Sequence, residues 1–198
     1  MPEGRQHYRR VIKLYHFLSN TQADIDLING CIRNDRRAQE LLYKQFYDAM
    51  ASICMRYTQN ENDAVEVLNN GFLKVFKNIQ QFDKEKAGLY TWIRKIMINT
   101  AIDFIRQNHK HLNKVELGRA TEPYTDSEAM LKLDAEELLA LIRKLPPSTQ
   151  LVFNLYVVEG FTHKEIGIKM GISEGTSKWH LSEARRLLQK SLKTLQVA

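Results

Sequence analysis

Lys178, Trp179, Ser182, Glu183, Arg185 and Arg186 crowd one side of a short helical pattern, mixing phosphate-binding cations with groups able to touch base edges. Earlier in the chain, Tyr90, Trp92, Arg94, Lys95, Asn99 and Arg106 interleave aromatic rings with cations and an amide. That is how a platform for unstacked bases is built beside a track for a charged backbone. The chemistry of both groups is recognition rather than bond-making. Each stacked base returns roughly 1–3 kcal/mol, and contacts to phosphates make affinity fall with salt. Taken singly, Tyr90 and Trp92 also fit a helix core, and Glu183 also fits an i, i+3 pair with Arg186.

Residues 162–188 carry the elements that must position the first group. Thr162 caps one short helix and Glu165 completes a capping box, with Ile166 and Met170 on the inner face. Gly171 ends that helix and Ser173 caps the next, whose Ser177, Leu181, Ala184 and Leu188 form one stripe at spacings of four, three and four. Two short helices around a three-residue turn are the sequence form of a helix-turn-helix, the second helix being the recognition helix.

Residues 21–110 read almost wholly as helix. Ile25, Ile28 and Ile32 are in register over 24–33, and Leu41, Phe46, Met50, Ile53 and Cys54 over 37–56. Asp63 and Glu66 form a capping box for a helix through Val67, Leu68, Phe72, Val75 and Phe76; Gly71 within it marks close packing or a contact surface. Residues 78–88 are a polar loop, after which helix resumes through Trp92, Ile93, Ile96, Ala101, Ile102 and Ile105. No strand pattern appears.

Composition narrows the classes. The 198 residues are 43% hydrophobic and 26% charged with a net charge of +6, enough to bury a core and favouring a polyanionic partner. Net charge is +3 over residues 1–20, +2 over 21–110, −4 over 111–140 and +5 over 141–198, so an acidic segment divides two more basic halves. No window reads as a membrane span, and residues 11–18, broken by Lys13 and His16, do not read as a signal peptide. Cys31 and Cys54 lack CxxC or Cys/His spacing and read as buried, reduced thiols of a cytoplasmic protein. His7, His16, His109, His111, His163 and His180 fall in no ligand frame; His109 and His111, two apart, face different sides of a helix. With neither a phosphate loop nor a nucleophile motif, we expect no enzyme activity, no metal and no cofactor.

At this point the chain resembles the bacterial sigma factors of the sigma-70 family, in particular the short two-domain extracytoplasmic-function group. DAVEVLNNGFLKVFKNI resembles region 2.2, GLYTWIRKIMINTAIDFIRQNHKH regions 2.3 and 2.4, and LPPSTQLVFNLYVVEGF with the helix-turn-helix region 4. The resemblance spans residues 22–112 and 131–192. It implies an all-α fold of two small helical domains: an N-terminal extension (1–20), region 2 (21–111), a flexible linker (112–130) and region 4 (131–198). It further implies core RNA polymerase and promoter DNA as partners, an anti-sigma factor that occludes the polymerase-binding faces, and no membrane insertion or small-molecule substrate.

Residue by residue, the resemblance carries polymerase contact onto Glu66, Asn69, Asn70, Phe72 and Leu73. It carries contact with the −10 non-template strand onto Lys77, Tyr90, Trp92, Lys95, Asn99 and Arg106, with residues 80–88 forming the pocket for a flipped base. Contact with the −35 duplex falls on Thr176, Lys178, Trp179, Ser182, Glu183 and Arg185; Glu183 suits a cytosine amino group and Trp179 a thymine methyl. The acidic residues 112–129 read either as a nucleic-acid mimic in the RNA exit channel or as a solvated connector. Opening three or four base pairs costs about 4–6 kcal/mol, more than one or two captured bases return, so polymerase contacts must supply the rest.

The chain departs from the family pattern in two places. Asn70, after Asn69, stands where region 2.2 usually has an acid, which removes a charge expected to help bind polymerase. Ser177 replaces an apolar residue on the buried side of the recognition helix, and His180 stands where arginine is common, so −35 contacts are expected to be loosened or retuned. The alternative function is a helix-turn-helix regulator that binds DNA without being a polymerase subunit. It needs a ligand or receiver domain in residues 21–110, where no strands are expected.

Overall fold

The computed structural model describes residues 21–108 and 135–197. The N-terminal extension, the linker, His7, His16, His109 and His111 lie outside the described residues. Eight α-helices and no strands occur among those described: α1 (Gln22–Ile32), α2 (Arg36–Tyr57), α3 (Glu61–Asn78), α4 (Leu89–Asn108), α5 (Ala135–Arg143), α6 (Pro147–Phe153), α7 (His163–Met170) and α8 (Glu174–Val197). They divide into two compact units, one comprising the described residues up to Met55 with Glu61–Ala101, the other Arg56–Asn60 with the described residues from Ile102 onward.

In the first unit, a capping box between Thr21 and Asp24 starts α1. Asn34, at φ 58°, turns the chain, and the Asp35 carboxylate accepts from the backbone N–H groups of Arg37 and Ala38 at the head of α2 (2.8 and 3.2 Å). Along α2 the core positions are Leu42, Phe46, Met50, Ile53, Cys54 and Tyr57. The expected stripe therefore needs one correction. Leu41 is 52% exposed, because it lies one residue, or about 100°, off the buried line that Leu42 occupies. In α1 the isoleucines are only half-buried, whereas Cys31 is fully buried.

Helix α3 begins at Glu61, so Asp63 sits inside its first turn rather than at the cap, where its charge complements the positive end of the helix. Gly71 is a close-packing position as expected: a Cβ there would lie 2.1 Å from the Met97 Sδ of α4. The segment after α3 is not wholly irregular, since residues Ile79–Gln81 form a 3-10 turn. Both cysteines are buried thiols outside any disulfide, and burial, reinforced by Asp35, pushes the Cys31 thiol up to about 11.

The second unit packs α5, α6 and α7 against the long α8 around Leu151, Val152, Leu155, Ile166, Leu181, Ala184 and Leu188. Helix α6 starts with Pro147 and continues into a π-helical turn, Asn154–Val158.

Candidate nucleic-acid interface

The helix-turn-helix is built from local bonds that the sequence specifies. Thr162 Oγ1 accepts from the Glu165 N–H, and the Glu165 carboxylate accepts from the Thr162 N–H at 2.8 Å, an arrangement that holds Glu165 below the usual carboxylate range. Gly171 closes α7 in the left-handed region at φ 70°. Gly167 lets the turn fold back: a Cβ there would sit 2.8 Å from the Ile172 carbonyl, whose own N–H donates to the Gly167 carbonyl at 3.0 Å. Ser173 Oγ then accepts from the Thr176 N–H at 3.0 Å and caps α8.

The buried line of α8 is Ser177, Leu181, Ala184, Leu188 and Leu192, with His180 beside it. Opposite it stand Trp179 and Ser182, half-buried, and Arg186, exposed. Lys178 and Arg185 lie on one flank of that face, Thr176 and Glu183 on the other, as 3.6 residues per turn require. The charges on this surface are pre-paired. Lys178 Nζ meets Glu174 at 2.7 Å, and Arg186 donates to both oxygens of Glu183 (2.7 and 2.8 Å), holding that carboxyl low. Arg186, not among the expected contacts, thus decides whether Glu183 has an oxygen left for a base.

The two departures from the family pattern on α8 both face inward. His180 is 3% exposed and faces inward, with Nδ1 3.0 Å from Thr149 Oγ1, so it does not reach the recognition face. Ser177 is fully buried, its hydroxyl 2.9 Å from Nδ1 of His163, whose ring stacks on Tyr156 at 4.4 Å.

Along α4, Trp92, Lys95, Asn99 and Arg106 follow at spacings of three, four and seven and share one side of the helix. Lys95 and Arg106 are exposed, Trp92 and Asn99 half-buried, and Lys77 is exposed in the last turn of α3. Tyr90 is not part of this side. Two residues from Trp92, it points the other way, lies 6.5 Å from Phe46, and lines a groove with Thr21, Leu27, Leu41 and Gln45.

Phe82, which sequence reasoning passed over, supports the edge of Trp92 at 5.6 Å and 66°. A lone aromatic in a polar loop was the available signal. The loop around it is braced by Asp83, which accepts from the Glu85 N–H at 3.0 Å and pairs with Lys86 at 3.0 Å.

A third surface lies on α3, where Glu66, Asn69, Asn70 and Leu73 form an exposed face at i, i+3, i+4 and i+7. Leu73 is 66% exposed, a cost an isolated unit would avoid. Phe72 does not join this face: it is buried against Tyr43 at 4.6 Å and supports it from beneath. Among the described residues, no helix is long and apolar enough to cross a membrane, and no group of three or more His, Cys, Asp or Glu is arranged to hold a metal ion.

Comparison with known proteins identifies the family. The family description "Sigma-70 region 2" matches residues 42–111, and "Sigma-70, region 4" matches residues 135–188. The ECF RNA polymerase sigma-E factor of Haemophilus influenzae is 26% identical over 184 residues, covering 87% of this chain and 96% of that protein. The RNA polymerase sigma-H factor of Pseudomonas aeruginosa is 23% identical over 186 residues, covering 88% and 96%. A solved Bartonella quintana sigma factor, in complex with the anti-sigma factor NepR, covers 78% of this chain and 96% of its own at 17% identity and a TM-score of 0.47. With sigma-70 region 2 and region 4 both matched along its length, this chain belongs to the sigma-70 family, in its extracytoplasmic-function group.

Proposed function

We propose that the chain works in two places on one promoter, with core RNA polymerase as the scaffold between them, and that it has no catalytic chemistry of its own. Region 2 spans residues 21–111 and region 4 residues 131–198, with 112–130 as the connector. The observation that carries the reading is the contrast between the two DNA-facing surfaces: a capped helix-turn-helix presenting paired charges, and a helix side alternating a braced indole with cations and an amide.

Region 4 reads the −35 duplex through Trp179 and Ser182 at the centre, with Lys178, Arg185 and Thr176 on phosphates at the flanks. Glu183 contributes a base contact only with the oxygen capacity that Arg186 leaves. Region 2 takes the unpaired −10 strand along Trp92, Lys95, Asn99 and Arg106, with Lys77 at its edge and residues 80–88 beside the flipped base. Tyr90 acts from the opposite side of α4, as support rather than as a stacking platform. Glu66, Asn69, Asn70 and Leu73 meet the polymerase, Phe72 fixing that face from below. The protein acts in the cytoplasm, and an anti-sigma partner covers the polymerase-binding faces until a signal releases it.

Adding the purified chain to core polymerase on a genomic promoter pool tests the reading. Initiation from a restricted set of start sites is expected. A chain that neither binds core nor redirects initiation, yet still binds duplex, belongs instead to the regulator class.

A further inference from the structure

We propose that Ser177 and His163 are positioning residues for promoter reading, their hydrogen bond together with that of His180 and Thr149 fixing how the recognition helix is rotated on its supports. The inference rests on the −35 reading above. Ser177 and His180 lie three residues apart on the buried side of α8, and each is held by a different element: Ser177 by His163 at the head of α7 (2.9 Å), His180 by Thr149 of α6 (3.0 Å).

Two directional bonds to two separate helices, one turn apart, define a rotation about the α8 axis. Apolar contact at the same positions is non-directional and tolerates rolling. The second partner in the first pair is itself oriented, since the His163 ring stacks on Tyr156 at an interplanar angle of 20°. Both positions are places where this chain departs from the pattern it resembles, Ser177 replacing an apolar residue and His180 an arginine, and both leave polar groups buried where a core would not choose them for stability. Ser177 is fully buried, and His180 Nε2 is buried with no protein partner, a cost that an apolar residue avoids. The polar groups are retained for what they orient, and what they orient is the side carrying Trp179 and Ser182, whose contacts with base edges depend on angle. Phosphate contacts from long, flexible Lys178 and Arg185 depend on it far less.

The test uses the full chain and a duplex enriched by it from a randomised pool, compared with a scrambled duplex at the same salt. S177A, which removes only the hydroxyl and adds no atoms to the buried site, and H163F, which keeps the stack on Tyr156, are each expected to lower the ratio of selected to scrambled affinity at least fivefold. Scrambled binding and the thermal midpoint should stay within twofold and about two degrees. The S177A/H163F double variant should lose no more than either single, T149V should resemble S177A, and S177T and H163N should recover the ratio to within twofold. Ratios unchanged in the singles, losses that add in the double variant, or losses mirrored in scrambled binding overturn the proposal. If the wild-type chain enriches no duplex, the −35 reading itself fails, and amide exchange over residues 177–181 decides the positioning claim. At least fivefold faster exchange in both singles, without further gain in the double, supports it; unchanged exchange overturns it.

Discussion

The two DNA-facing surfaces are held in place by different means. In the second unit the recognition helix is fixed by caps, a left-handed glycine and buried side-chain hydrogen bonds, and its surface charges are already paired at 2.7 Å. In the first unit the working indole is half-buried against the edge of a single loop phenylalanine, and its cations stand exposed. A duplex offers a fixed groove, and a preset rotation suits it. An unpaired strand must be captured as it forms, and a platform with room beside it suits that. The difference also divides the liabilities: directional polar contacts in one unit, apolar contacts with adaptable side chains in the other.

Acid should separate the units most. Both histidines among the described residues lie in the second, and burial pushes His180 down to about 4, opposed by nearby Glu183. The neutral ring is therefore favoured in the folded state. Its contribution is fully present above an unfolded value near 6.5 and is lost as pH falls toward 4, amounting to about 2 kcal/mol by pH 5. His163 shifts in the same direction through burial and Lys178. The chain's two tryptophans fall one in each unit, so urea unfolding followed by Trp179 in W92F and by Trp92 in W179F reads them apart. Going from pH 7 to pH 5 should weaken the second unit by about 2 kcal/mol, most of it abolished by H180L, and leave the first nearly unchanged. Equal losses in both would remove the distinction.

The glycines sharpen the comparison next. G167A drives a Cβ against the Ile172 carbonyl of the helix-turn-helix, where backbone must yield, and should destabilise the second unit by about 1–3 kcal/mol. G71A meets the end of the Met97 side chain, which can shift, while gaining helix propensity of about 1 kcal/mol, so the first unit should change by less than about 1 kcal/mol. Finally, T162A removes the α7 capping box and should cost about 1 kcal/mol, read from the same Trp179 transition.

What could be read from sequence follows the range of the interactions. The caps at Thr162 and Ser173, the left-handed Gly171 and the Glu183–Arg186 pair are contacts within four residues, and local spacing specifies them. The inward line of α8 was equally plain, since its period recurs over several turns. Helical periodicity fixes a face only to within about one residue, which is why Leu41 stood in for Leu42 and why Tyr90 was grouped with Trp92 across α4. The roles of Ser177, His180 and Phe72 were illegible for another reason: their partners His163, Thr149 and Tyr43 lie 14, 31 and 29 residues away in the chain, and only the packed fold brings them together. Asp63 was misplaced at a cap because an acid within the first turn carries the same local signature as one just before it.

The central claim is that double-stranded and unpaired DNA are handled by separate surfaces, and a crossed pair of substitutions in the polymerase-bound chain tests it most directly. W92A should reduce open-complex formation by roughly 5–150-fold, the worth of one stacked base, while leaving protection of the −35 duplex within about twofold. K178E should weaken −35 protection by a similar factor and leave the rate of opening, once DNA is saturating, within about twofold. If each substitution damages both steps equally, the division of labour between the two units is wrong.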